Sequence, residues 1–122
     1  MVEKKRILYV QTSGVDTPER TYAPLVLATT AASMGVDATV FFLGKGVTIA
    51  KTGEAERIKV GTFPSLADVL KRAADAGVKL RVCDQSTQLL GLSRGDYVGT
   101  CDVVGAATLN DLALDADAVL CF

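Results

Sequence analysis

The chain has no histidine and no tryptophan, and only three cysteines and three prolines among its 122 residues. Without histidine, Ser-His-Asp and Cys-His catalysis are excluded within one chain, because the general base is missing. The same absence, with so few cysteines, argues against zinc sites of the usual nitrogen and sulfur type, and no metal is expected. An odd cysteine count without a C-x-x-C pair argues against a disulfide framework and against a thioredoxin-type motif. Charge of neither sign dominates: thirteen Lys and Arg face fourteen Asp and Glu, for a net charge of −1. No basic block stands out beyond Lys4-Lys5-Arg6, so nucleic acid is not expected as a main ligand. Long hydrophobic runs are also lacking. The longest charge-free stretch, Thr21 to Val36, is short for a membrane span and carries Pro24 and Ser33. Met1-Val2-Glu3-Lys4-Lys5 leads straight into a strand pattern with no visible signal peptide, and the expected location is the cytoplasm.

What is present is apolar residues in quantity. They make up 49% of the chain, at the upper end for a soluble globular protein, which hints at surface buried in an oligomer. The length suits one domain over residues 1–122, with a core large enough to need no metal or disulfide staple. Arg6 to Gln11 is almost continuously apolar, as in a parallel strand covered on both faces. Asp37 to Leu43, Val78 to Cys83, Cys101 to Val104 and Ala118 to Phe122 read as further strands.

Helices are expected between the strands. Thr21 to Met34 has Thr21 as a cap, Pro24 in its first turn and Gly35 at its end. A short helix over Val47 to Lys51 closes at Gly53, and Glu54 to Thr62 reads as a surface excursion. Ser65 caps a clear helix with Asp68 three residues on, apolar Leu66, Val69, Leu70 and Ala73 on one face, and Gly77 after it. Another short helix begins near Ser86, and a last one near Thr108 with Asp111 at its cap. Alternating strands and helices mean βαβ units and a parallel sheet with helices on both faces.

In such folds ligand sites lie beyond the carboxyl ends of the strands. Cys83 stands at one of these ends, just before a helix start. Orphan backbone N–H groups there favour thiolate, the nucleophilic form. Arg81 has the same strand parity and can add positive potential, whereas Asp84 opposes it. The alternative stays open: a free cysteine is often a small buried apolar residue. Cys101 and Cys121 read as core fillers, and Tyr9 as core. Candidate ligand-binding positions are Ser13 and Gly14 after the first strand, Gly44, Lys45 and Gly46 after the second, and Gln85 and Ser86 after Cys83. Gly14 can equally be a turn residue with positive φ. Gly44-Lys45-Gly46 lacks P-loop spacing, although Lys45 can attract an anion. Arg94-Gly95 marks a turn.

Several segments together resemble the DsrE/DsrF-like family. They are D-A-T-V-F-F-L-G-K-G-V (Asp37 to Val47), P-S-L-A-D-V-L-K-R-A-A-D-A-G-V-K-L-R-V-C (Pro64 to Cys83) and V-V-G-A-A-T-L-N-D-L-A-L-D-A-D-A-V-L-C-F (Val103 to Phe122). Their order and spacing extend the likeness over nearly the whole chain. The resemblance implies a three-layer α/β/α domain with a five-stranded, mainly parallel sheet, trimeric or hexameric assembly, and sulfur-relay work in the cytoplasm. It implies a persulfide on Cys83, handed from a sulfane-sulfur donor to an acceptor thiol with no cofactor. Relatives without that cysteine serve as non-catalytic subunits. Asp84-Gln85 departs from the small or apolar residues that follow the cysteine in relay proteins.

Overall fold

The computed structural model describes residues 4–122. Its strands are β1 (Arg6–Gln11), β2 (Asp37–Phe42), β3 (Lys79–Cys83), β4 (Cys101–Val104) and β5 (Ala118–Cys121). Its α-helices are α1 (Tyr22–Ser33), α2 (Val47–Ala50), α3 (Leu66–Asp75), α4 (Asp84–Leu89) and α5 (Ala106–Asp115). All strand pairings are parallel, in the order β4-β3-β2-β1-β5. The α/β architecture expected from the alternation is present, and the sheet is wholly parallel.

Connections β1 to β2 and β2 to β3 step across the sheet in one direction, while β4 to β5 returns the other way. Right-handed crossovers therefore put α1 and α3 on one face and α5 on the other. Register makes the two faces legible. Leu120, Tyr9, Val40, Leu80 and Cys101 form one row across all five strands. Its centre lies under α1, where the Tyr9 hydroxyl donates to the Leu27 carbonyl at 3.3 Å. The alternate row runs Cys121, Val10, Phe41, Arg81, Asp102, passing from apolar to charged.

α3 follows its sequence signals closely. Ser65 Oγ accepts from the Asp68 N–H at 3.2 Å, and Leu66, Val69, Leu70 and Ala73 are buried. Gly77 then takes φ 93°, a left-handed stop that a side chain would resist. The surface excursion after α2 is partly core, since Ala55 and Ile58 turn inward.

Four expectations need correction. Thr21 precedes α1 but its hydroxyl donates to Pro18 O at 2.7 Å, so it makes no side-chain cap. α5 starts at Ala106 with Gly105 as its N-cap, earlier than Thr108, and Asp111 lies within it. Arg81 is tied to Asp102 at 2.9 Å, so its charge is spent on β4 and adds little potential at Cys83. Cys121 is exposed, as is every residue of β5. β5 is an edge strand that no helix covers, and Val119 and Leu120, on opposite faces, are 42% and 43% exposed. α1 is unusual in a related way. It carries no charged residue, and Val26, Leu27 and Met34 lie exposed on its outer side.

Candidate functional site

The strand order reverses between β1 and β5, the usual ligand crevice of an open α/β sheet. There the Thr12 N–H and hydroxyl both donate to Phe122 O, at 2.7 and 2.8 Å. The chemistry-bearing strand end is instead that of β3.

Cys83 is both the last residue of β3 and the N-cap of α4. Its Sγ takes the place of a capping serine oxygen and accepts the Ser86 N–H at 3.4 Å. The helix thus begins at Asp84, two residues earlier than the turn formers suggested, and this shift puts the thiol against a backbone donor. α4 has only six residues, so the Ser86 N–H itself, rather than a macrodipole, is the interaction that matters. Ser86 also accepts the Gly44 N–H on its Oγ at 2.8 Å, tying the end of β2 to the first turn of α4.

A second set of bonds fixes α4 from behind. Thr87 Oγ1 donates to Cys83 O at 2.8 Å. Its single proton being used there, the Tyr97 hydroxyl 2.6 Å away must be the donor to Thr87. Burial first, with nearby Asp96, Cys83 and Asp84 adding to it, holds the Tyr97 phenol above its usual value, so it stays protonated at neutral pH. Tyr97 is in turn stitched to the end of α2, through an antiparallel bridge with Lys51 and the Val98 N–H to Ala50 O bond at 2.9 Å. The sequence left Tyr97 and Thr87 unremarked. The one available signal was an aromatic residue inside the polar, glycine-rich stretch Arg94 to Gly99.

The acidic neighbour is restrained. Asp84 meets Arg94 Nε at 3.5 Å and accepts from Gln88 Nε2 at 3.3 Å, so the Arg94 turn serves to neutralise it. Gln85 reaches back over the thiol, its Oε1 3.7 Å from Sγ. Under these contacts Cys83 is only 3% exposed.

The remaining candidate residues divide. Gly44, Gln85 and Ser86 gather around Cys83. Ser13 is buried, with its hydroxyl donating to Arg20 O. Gly14 and Gly46 do not have positive φ; they are required because a Cβ on either would strike backbone, Lys45 O and Gln11 O respectively. Lys45 is paired with Asp16 at 2.8 Å, and this hydrogen bond raises the lysine's pKa and lowers the aspartate's. Both are solvent-exposed, so the pair is screened and separable. With Val15, Thr48, Leu90 and Leu92 they line a mostly apolar groove of about 270 Å³ beside α4. Two other hollows lie away from the thiol: a groove of about 360 Å³ between α1 and α3, and a cleft of about 230 Å³ near Arg6 and Asp37.

Residues 5–122 match the DsrE/DsrF-like family. The chain belongs to that family. Among relatives, it is 29% identical over 102 residues to the uncharacterized protein MJ0760 of Methanocaldococcus jannaschii, with 84% of this chain and 37% of that protein aligned. The chain therefore spans little more than a third of that relative. It is 30% identical over 94 residues to MJ0989 of the same organism, covering 77% of this chain and 76% of the relative. Its fold is shared with the ychN protein of E. coli, at TM-score 0.80 and 20% identity over 98% of this chain and 100% of the other. MTH1491 of Methanobacterium thermoautotrophicum, a protein of unknown function, has the same fold at TM-score 0.68 and 12% identity, again over 98% and 100% of the two chains. Of the two thiols besides Cys83, Cys101 is held by burial to a pKa of about 11, which leaves it inert at neutral pH. Among the described residues no group of three or more His, Cys, Asp or Glu is arranged to hold a metal ion, and no helix is long and apolar enough to cross a membrane.

Proposed function

We propose that the protein is a sulfur carrier that holds sulfane sulfur as a persulfide on Cys83. The observation that carries this reading is the Cys83 thiol itself, at the carboxyl end of β3 and accepting the Ser86 N–H, in a chain of the DsrE/DsrF-like family. The reaction needs no cofactor. The thiol first releases its proton to solvent. The thiolate then attacks the outer sulfur of a donor R–S–SH. A Cys83–S bond forms, the donor S–S bond breaks, and its electron pair leaves on R–S⁻. In the second half an acceptor thiolate attacks the outer sulfur of Cys83–S–SH and Cys83 returns as thiolate. Sulfane sulfur moves with no net oxidation. The Ser86 N–H can support negative charge on Sγ in each half.

The partners are accordingly a sulfane-sulfur donor, small molecule or protein, and an acceptor thiol, in the cytoplasm. The uncovered outer side of α1 and the bare β5 edge suit self-assembly into a trimer or hexamer. Mass spectrometry of the chain after polysulfide or thiosulfate treatment should show a 32 Da adduct on the Cys83 peptide that is absent from Cys83→Ser. No adduct with any donor would end the carrier reading.

One observation favours a second reading. Cys83 is 3% exposed, which suits a structural thiol in a non-catalytic subunit or a small-anion binding module. That reading expects partner or anion binding to survive Cys83→Ala.

A further inference from the structure

We infer that Gln85 is the latch that controls access to Cys83, an inference that rests on the carrier reading of the site. The four residues that follow the thiol, Asp84, Gln85, Ser86 and Thr87, are not equally free to move. Ser86 and Thr87 are buried and bonded to Gly44, Cys83 O and Tyr97. Asp84 is held by Arg94 and Gln88. Gln85 is an exposed residue whose only side-chain hydrogen bond among the described residues is the one its Oε1 accepts from the Cys83 thiol. A rotamer change in this one side chain moves its oxygen off sulfur while the buried contacts stay in place.

Geometry favours that movement on loading. An S–S bond is about 2.05 Å long, so a sulfur added along the Sγ to Oε1 direction would sit less than about 2 Å from that oxygen. The closed side chain therefore blocks an added sulfur in that direction. Its chemistry also favours release on activation. The carboxamide oxygen accepts from S–H, but a thiolate has no proton to give and repels that oxygen. Turned over, the same amide offers Nε2–H to a thiolate or persulfide. The other charged or titratable groups facing the thiol are Asp84 with its Arg94 partner and the Tyr97 phenol, and none of them replaces this bond. Glutamine thus serves both states of the sulfur, closed over the thiol and open to its charged forms.

The test compares the full chain with Gln85→Ala and with Gln85→Met, which keeps side-chain length but has no carbonyl to hold it over the thiol. Native iodoacetamide labelling is read at each cysteine by peptide mass spectrometry. Cys83 should label about tenfold faster in both variants, with Cys101 still protected and Cys121 unchanged. Persulfide loading from polysulfide should accelerate in parallel, and the loaded form should lose its outer sulfur to an added thiol sooner. Equal Cys83 labelling in wild type and Gln85→Ala overturns the latch, as does a Gln85→Met variant as slow as wild type. If labelling accelerates and no variant takes up sulfur, the latch holds and the carrier reading falls. Loading at equal rates in all three chains leaves the carrier and removes the latch.

Discussion

The Tyr97 hydroxyl lies 2.6 Å from Thr87 Oγ1, and the Thr87 hydroxyl donates to the Cys83 carbonyl, so a residue beyond α4 orients the turn that presents the thiol. Tyr97→Phe removes the donor while leaving the ring in place. The expected loss is about 0.5–1.5 kcal/mol of stability, the net worth of one buried hydrogen bond. Urea titration measures it. α4 should also loosen at its start, so Cys83 labelling should rise in the folded protein. A variant as stable as wild type with unchanged labelling would show that this bond does not position the thiol.

Gly46 makes a sharper prediction. It sits in an ordinary helical conformation, φ −57° and ψ −28°, so backbone freedom is not its purpose. A Cβ there would strike the Gln11 carbonyl at the end of the interior strand β1, and backbone has little room to yield. Gly46→Ala should cost about 3 kcal/mol, the upper end for overpacking. Gly44→Ala tests a different cause. Gly44 has φ 57° with open space around it, and the expected cost is about 1–2 kcal/mol from the left-handed conformation alone. Denaturation midpoints of the two variants give the comparison, and equal costs would refute the distinction.

Cys101 sets a pH dependence. Burial raises its folded pKa from 9.0 to about 11, so the native state keeps a proton that the unfolded chain has already lost. Its contribution is fully present below pH 9 and is lost as pH rises toward 11. Between those values the unfolded state binds fewer protons, so the slope of stability against pH is negative. The difference amounts to about 2–3 kcal/mol. Stability of Cys101→Ala against wild type, measured from pH 8 to 11, isolates it from the other titrating groups. Parallel curves would mean that the thiol is not held neutral by burial.

Where local signals decide structure, the sequence could be read almost to the residue. Ser65 with Asp68, the apolar face of α3 and Gly77 all describe that helix, and Arg6 to Gln11 is β1 as expected. What could not be read depends on contacts distant in sequence. Cys83 lies at the strand end the pattern indicated, yet the tie of its following turn to Gly44 and its support from Tyr97 come from folding-back contacts that no spacing encodes. Lys45 and Arg81 looked like free cations, and each found an aspartate, Asp16 and Asp102. Cys121 reads as core because A-V-L-C is a core-like string. Its exposure follows from sheet order, which puts β5 at an edge. The local pattern was right about apolarity and blind to what covers it.

That mismatch yields the last prediction. Leu120 shares a row and a sheet face with Tyr9, whose hydroxyl reaches Leu27 O on α1, so the exposed Leu120 and Leu27 belong to the same side of the molecule. The α1 surface beside them carries no charge, and β5 has no lysine, proline or bulge to guard its free edge. If copies of the chain cover this side, Leu120→Asp or Leu27→Asp should break the assembly. Each would bury an unpaired carboxylate in the assembly while leaving the isolated chain within about 0.5 kcal/mol of wild type. Light scattering during size-exclusion chromatography should show an oligomer for wild type and a monomer for either variant, with unchanged far-ultraviolet circular dichroism. A wild-type chain that is monomeric at tens of micromolar would remove self-assembly from the proposal. An oligomer that survives both substitutions would move its interface to another face.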